Sequence, residues 1–192
     1  GLYETPTFAK ADEVTEKRPE AMKAWKEIEE WCVAASVQRT LKWSRFGFLG
    51  GYYSGMLDLY SDFTMLQAQT GMDVEILEMS DLDYYLKSVT EKEVQQKLQQ
   101  IQDFFEISGD SPSDPIARKP SQDQLNWSAR VASAQEKMVR DRNLDSVSYY
   151  YHGRDDYFET VQSGFIVGFS LLNARGIACA GEGDIKTALA MK

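Results

Sequence analysis

The sequence predicts an α/β domain, a three-layer parallel sheet with helices on both faces. Strand-like runs alternate with stretches of helical apolar spacing, and that alternation implies right-handed crossovers between parallel strands. Three of the strand-like runs end in loops that carry glycine: LGGYYSGM, YHGRDD and AGEGD. Open parallel sheets bind ligands at that end of their strands. The 192 residues, 43% of them hydrophobic, suffice for one sizeable core.

The first element is a helix. Over residues 11–41, Met22, Trp25, Ile28, Cys32 and Ala35 recur at intervals of three and four with Lys and Glu between them, and the helix starts or breaks near Pro19. SRFGFLGG, residues 44–51, is a short apolar run closed by glycines, as expected of a buried strand entering a loop. Helical spacing returns over residues 56–71 until Gly71 stops it, and DVEILEMS, residues 73–80, alternates like a strand.

Residues 81–107 place Val94, Leu98, Ile101 and Phe105 on one helical face, and Thr90 with Glu93 has the spacing of a capping box. SGDSPSDPIARKPS is rich in Ser, Asp and Pro and reads as a surface excursion within the domain, because helical and strand patterns resume beyond it. A polar helix follows over residues 122–142. LDSVSYYYHG, residues 144–153, is a β-branched and aromatic strand ending in a turn. Residues 157–176 form a helix whose Gly164 and Gly168, four apart, allow close packing against a sheet. IACAG is a last short strand, and Glu182 onward opens a helix.

Composition excludes several classes of function. A net charge of −9 and the lack of clustered Lys and Arg argue against a protein that reads a nucleic-acid backbone. Cys32 and Cys179 lie far apart in apolar surroundings, which indicates buried, reduced thiols in a cytoplasmic protein rather than a disulfide framework. No apolar run approaches the roughly 20 residues needed to span a membrane, and the N-terminus has no signal-peptide pattern. The absent initiator Met and the abrupt stop after an uncapped helical turn lead us to expect a piece of a larger protein.

Few residues are placed for chemistry. The glycines of GFLGGYYSG match neither GxGxxG nor GxxxxGK[ST], so a dinucleotide site is not encoded, although Tyr52, Tyr53 and Met56 can wall a pocket. His152 is the only histidine, which leaves zinc ligation to carboxylates, and no GxSxG elbow presents a nucleophile. Glu182 and Asp184 remain. One reading makes them helix-start carboxylates stabilised by free backbone N–H groups. The other makes them oxygen ligands for Mg²⁺ or Mn²⁺, because they follow a strand beside Gly181 and Gly183 in the ligand crevice.

CAGEGDIKTALAMK closely resembles the segment of L-arabinose isomerases that carries the first glutamate of the manganese site. YYYHG, GFSLLNARGIACAGE and the stretch from AMKAWKEIEE to SDFT resemble the preceding parts of the same family. The resemblance implies the three-domain arabinose and fucose isomerase architecture. Residues 1–42 would be a helical lead-in from a preceding domain, and residues 43–192 the Rossmann-like middle domain, cut just after the first metal-ligand motif. It implies that Glu182 binds Mn²⁺ or another divalent cation and takes part in proton transfer. Met56 falls near a substrate-lining methionine, and Tyr151 or His152 near an aromatic substrate contact. The family's second glutamate and both metal-binding histidines would lie beyond residue 192, so this segment alone is expected to be inactive.

The activity implied is that of an intramolecular oxidoreductase acting on a small sugar, L-arabinose to L-ribulose through an enediolate, in a hexamer with active sites at subunit contacts. No nucleic acid or membrane partner is implied. Ile185 stands where tryptophan is common in the family, which points to a divergent branch. The alternative is a non-catalytic sugar-binding or regulatory relative that keeps the scaffold.

Overall fold

Four short strands pair in the order β2-β1-β3-β4, every pair parallel, in a computed structural model that describes residues 17–114, 116 and 118–192. The strands are β1 (Arg45–Gly50), β2 (Asp73–Leu77), β3 (Ser146–Tyr150) and β4 (Ala178–Ala180). In register, Phe46 faces Val74 on one side and Ser146 on the other, and Val147 faces Cys179. This is the α/β, parallel, helix-covered architecture expected from the sequence.

Both faces are covered because the strands bury side chains on both. On one face Leu49, Leu77, Val147 and Cys179 meet α3 (Met79–Lys87), α4 (Glu91–Phe104), α5 (Gln122–Asp141), α6 (Asp156–Ser163) and α7 (Phe165–Asn173). On the other, Phe46 and Ala180 pack with Leu66 of α2 (Phe63–Thr70) and with Ile185 and Ala188 of α8 (Ile185–Met191). The buried Ile185 occupies the core of this second layer.

Several expected elements are divided in the structure, each by a recognisable local signal. The helix expected over residues 56–71 is a 3₁₀ turn, Leu57–Leu59, and then α2, because the Asp62 side chain caps the later start by accepting from the Met65 N–H at 3.0 Å. Residues 81–107 hold two helices. The Thr90–Glu93 capping box is present as predicted, but it begins α4 after α3 has ended at Lys87. Gly164 separates α6 from α7. The small residue at Gly168 serves helix-to-helix packing rather than packing on the sheet, since a Cβ there would lie 2.7 Å from the Ala132 Cα of α5.

The long first helix, α1 (Pro19–Lys42), begins at Pro19, and the earlier part of the stretch expected to be helical, residues 11–16, lies outside the described residues. Its predicted apolar face does not pack. Met22, Trp25 and Ile28 are exposed, Cys32 is exposed rather than buried, and Ala21 is the one buried residue of the helix. No helix among the described residues is long and apolar enough to cross a membrane.

Candidate active site at the carboxyl edge of the sheet

Strand order fixes where the chain can leave a crevice. From β1 the connection runs to β2 on one side, and from β3 it runs to β4 on the other, so the loops after β1 and β3 part company at the switch point. The loop after β4 closes against both. Gly51 N–H donates to the Tyr150 carbonyl at 2.8 Å, Gly183 N–H to the Tyr149 carbonyl at 3.1 Å, and Tyr53 N–H to the Glu182 carbonyl at 3.0 Å. The loops after β1 and β4 are thus hydrogen-bonded to each other and to the end of β3.

Two backbone positions show how tightly they meet. Gly183 has φ +75°, and a Cβ on it would stand 2.5 Å from the Gly51 carbonyl oxygen, so only glycine fits. Glu182 beside it has φ +62° without being glycine. An L-residue with a long side chain adopts that region at a cost of roughly 1–2 kcal/mol. Strain of this kind is retained where surrounding structure imposes it, and it concentrates at functional sites.

The two candidate carboxylates have separate fates. Asp184 is the N-cap of α8, accepting from the Thr187 N–H at 2.9 Å and from its hydroxyl at 2.6 Å. Burial pushes the Asp184 carboxyl up, but the Thr187 hydrogen bonds and the Lys186 charge outweigh it and hold the group below its ordinary range. Glu182 does not open the helix as expected. It stands before the cap, exposed, and its carboxylate has no hydrogen bond or ion pair among the described residues. Structure consumes Asp184 and leaves Glu182 available.

Beside Glu182 opens a cleft of about 370 Å³, lined by Met56, Asp58, Leu59, Gly181, Thr187 and Met191 among others. Lys186 donates to the Asp58 carbonyl and ties the loop after β1 to α8. Met56 therefore shares a cleft with Glu182. Tyr151 and His152 do not line it. The Tyr151 ring packs edge-on against Phe158 at 5.7 Å, and His152 Nδ1 lies 3.6 Å from a Glu159 carboxylate oxygen with its side chain largely exposed. Roomier clefts of about 530 Å³ lie beside Trp43 and Leu144 and between α1 and α8. The carboxylates at the first, Glu136 and Asp145, are both ion-paired, and no acidic side chain lines the second.

Three residues gain a role that the sequence did not assign. Burial raises the phenol pKa of Tyr149, with the charges of Cys179 and Glu182 adding to it. Burial likewise raises that of Tyr150, helped by Tyr53, Glu182 and Glu159. Both rings therefore lie within the field of the Glu182 carboxylate. Asp58 is the third, a cleft residue whose segment read as plain helix. The tyrosines were visible as a run of aromatic strand residues, but nothing in the spacing says which of them would meet Glu182.

The profile of the L-arabinose isomerase central domain matches residues 61–192. The chain belongs to that family. A comparison with curated proteins gives no match. An L-arabinose isomerase central domain is part of an aldose–ketose isomerase, and its match ends with the Glu182 turn and α8 inside it. The loop after β1, with Tyr53 and Met56, precedes the matched span. The family's use of a divalent metal meets a clear limit here, since no three His, Cys, Asp or Glu converge among the described residues to hold an ion. The cleft holds two carboxylates with no hydrogen bond or ion pair among the described residues, Glu182 and Asp58, and a complete coordination shell needs further donors.

Proposed function

We propose that this chain is the middle domain of a metal-dependent aldose–ketose isomerase that converts L-arabinose to L-ribulose, with residues 43–192 as the α/β domain and residues 1–42 as its lead-in. The observation that carries the reading is Glu182, a strained and unpaired carboxylate at the switch-point crevice of a domain of this family.

The chemistry follows from the substrate. The hydrogen on the carbon next to an aldose carbonyl is acidified by that carbonyl. The Glu182 carboxylate takes that proton, the C–H electron pair forms the enediolate, and the same group returns the proton to the former carbonyl carbon, while the hydroxyl proton of the neighbouring oxygen passes to the former carbonyl oxygen and the neighbouring oxygen becomes the ketone. A glutamate with no structural partner is suited to this, because gaining a proton breaks no hydrogen bond of the fold. Glu182 is the ligand this chain would offer to Mn²⁺ or another divalent cation, which would stabilise the negative charge that develops on the substrate oxygens. Met56 lines the sugar cleft from the loop after β1, and Tyr151 and His152, on the loop after β3 and outside that cleft, would meet the sugar only if that loop closed over it.

The test is turnover by the isomerase that carries this domain, assayed with Mn²⁺ against pentoses and 6-deoxyhexoses beside Glu182→Gln. Ketose formation from L-arabinose that the substitution lowers by about 10³-fold or more establishes the reaction and the role of Glu182. Retained turnover in Glu182→Gln removes Glu182 from the mechanism. No turnover by a folded, metal-supplied protein on any sugar points instead to the non-catalytic sugar-binding relative.

A further inference from the structure

The strained backbone of Glu182 needs something to hold it. On one side, Gly183 N–H is anchored to the Tyr149 carbonyl in β3, which the sheet itself fixes. On the other, the Glu182 carbonyl accepts from Tyr53 N–H, which belongs to the loop after β1 rather than to the sheet. That loop, residues 51–56, has no helix or strand of its own. Asp184 N–H also closes the turn on the Gly181 carbonyl at 3.0 Å, so Tyr53 N–H is the one restraint on the Glu182 peptide that comes from the loop after β1.

Across the crevice the Tyr53 ring meets the Tyr150 ring, centroid to centroid 4.9 Å at 49°. The Tyr150 carbonyl in turn accepts from Gly51 N–H at 2.8 Å, and a Cβ on Gly50 would stand 2.1 Å from that same oxygen. Tyr150 therefore grips the loop twice, by its backbone at the start and by its ring at Tyr53. An offset aromatic contact of this kind holds two segments in one register at little entropic cost, since each ring has few rotatable bonds. Half-exposed tyrosines at the mouth of a crevice need such a reason to face each other rather than water.

We propose that Tyr53 and Tyr150 are a positioning pair, whose ring contact fixes the Tyr53 N–H that holds the Glu182 backbone and so aims its carboxylate. The pair does not take a proton and does not bind the metal. It acts through Glu182, and the ring matters rather than the phenol. This rests on the assignment of Glu182 above, but one of its two readouts does not.

The first readout is amide hydrogen exchange at Tyr53 in this chain. Tyr150→Ser should speed exchange at Tyr53 at least tenfold and leave the amides of β1 unchanged, and Tyr150→Phe should restore protection. The second is kinetics in the isomerase carrying the domain. Tyr150→Ser should lower kcat about tenfold with sugar KM within twofold, and Phe should rescue it. Should Tyr150→Ser fail to fold, Tyr53→Ser removes the same contact from the loop side and carries the same expectations. Unchanged Tyr53 exchange after loss of either ring overturns the proposal, as does a Phe variant as damaged as Ser. Absence of turnover in the unaltered isomerase counts against the Glu182 assignment alone, while the exchange result still decides whether the pair holds the loop.

Discussion

At the amino edge of the sheet every described carboxylate has a partner. Arg45 lies 3.4 Å from Asp73 and 3.0 Å from Glu75, Arg142 reaches Glu75 at 2.6 Å, and Asp145 accepts from the Arg45 N–H at 2.9 Å and faces Lys192 at 3.4 Å. The Arg45 contacts are ion pairs without hydrogen-bond geometry, since its Nε and the Glu75 Oε2 are buried with no such bond among the described residues. At the carboxyl edge the Glu182 carboxylate has no hydrogen bond or ion pair among the described residues. The two edges also hold the two non-glycine residues of positive φ among the described residues, Asn143 at +52° before β3 and Glu182 at +62° after β4. Asparagine is the residue type that tolerates this region, and glutamate is not. One edge is arranged as folding would arrange it. The other keeps a residue that folding does not favour, which fits the role proposed for Glu182.

The sharpest way to break this contrast is a crossed pair of variants. Glu182→Gln should lower turnover by about 10³-fold while changing stability by less than about 0.5 kcal/mol, because its carboxylate supports nothing. Glu75→Gln should do the reverse. It weakens ion pairs to Arg45 and Arg142 in a side chain that is 13% exposed, and a loss of roughly 1–3 kcal/mol in urea unfolding is expected with kcat within about twofold. If Glu75→Gln abolishes turnover or Glu182→Gln unfolds the domain, the division of labour between the edges is wrong.

A second contrast concerns the two cysteines. Burial pushes the Cys179 thiol up to about 12, although a hydrogen bond involving the Val147 backbone opposes it, whereas Cys32 lies exposed on α1. At pH 8 the thiolate fraction of Cys179 is smaller than that of an ordinary thiol by about three orders of magnitude. Iodoacetamide should therefore label Cys32 in the folded protein and leave Cys179, which lies beneath the crevice loops, unlabelled until denaturant is added. Rapid labelling of Cys179 without denaturant would mean that the carboxyl edge opens readily.

Much of this was legible beforehand, and the reasons differ by residue. The strand-helix alternation specified a parallel sheet because its period is local and its consequence for topology is nearly obligatory. The three glycine loops located the crevice, and Thr90 with Glu93 located the start of a helix. The divided helices were missed because apolar periodicity persists across a break, while the deciding signals, Asp62 as a cap and Gly164 as a stop, are single residues. The exposed face of α1 was missed for the opposite reason: spacing shows that a helix is amphipathic but not what covers it. At the site, a carboxylate pair after a strand was visible, whereas the separation into Asp184 as cap and Glu182 as free group depends on φ and on hydrogen bonds between distant loops. The pairing of Tyr53 with Tyr150 bridges 97 positions in the sequence and has no local signature.

The smallest expected effect probes the strain itself. Replacing Glu182 by Gly removes the left-handed penalty of roughly 1–2 kcal/mol, and glycine's added freedom in the unfolded chain takes back about 0.5–1 kcal/mol. A net gain of about 0.5–1 kcal/mol is expected, read as a rise in the urea midpoint at unchanged slope. Asn143→Gly makes the same backbone exchange at the amino edge, but asparagine already tolerates the region, so the two terms cancel to within about 0.3 kcal/mol. Equal gains at both positions would show that Glu182 is held no less comfortably than Asn143 and carries no special cost. A gain confined to Glu182→Gly, in a protein that has lost turnover, would show that the fold is more stable without the residue, and that chemistry rather than folding keeps glutamate there.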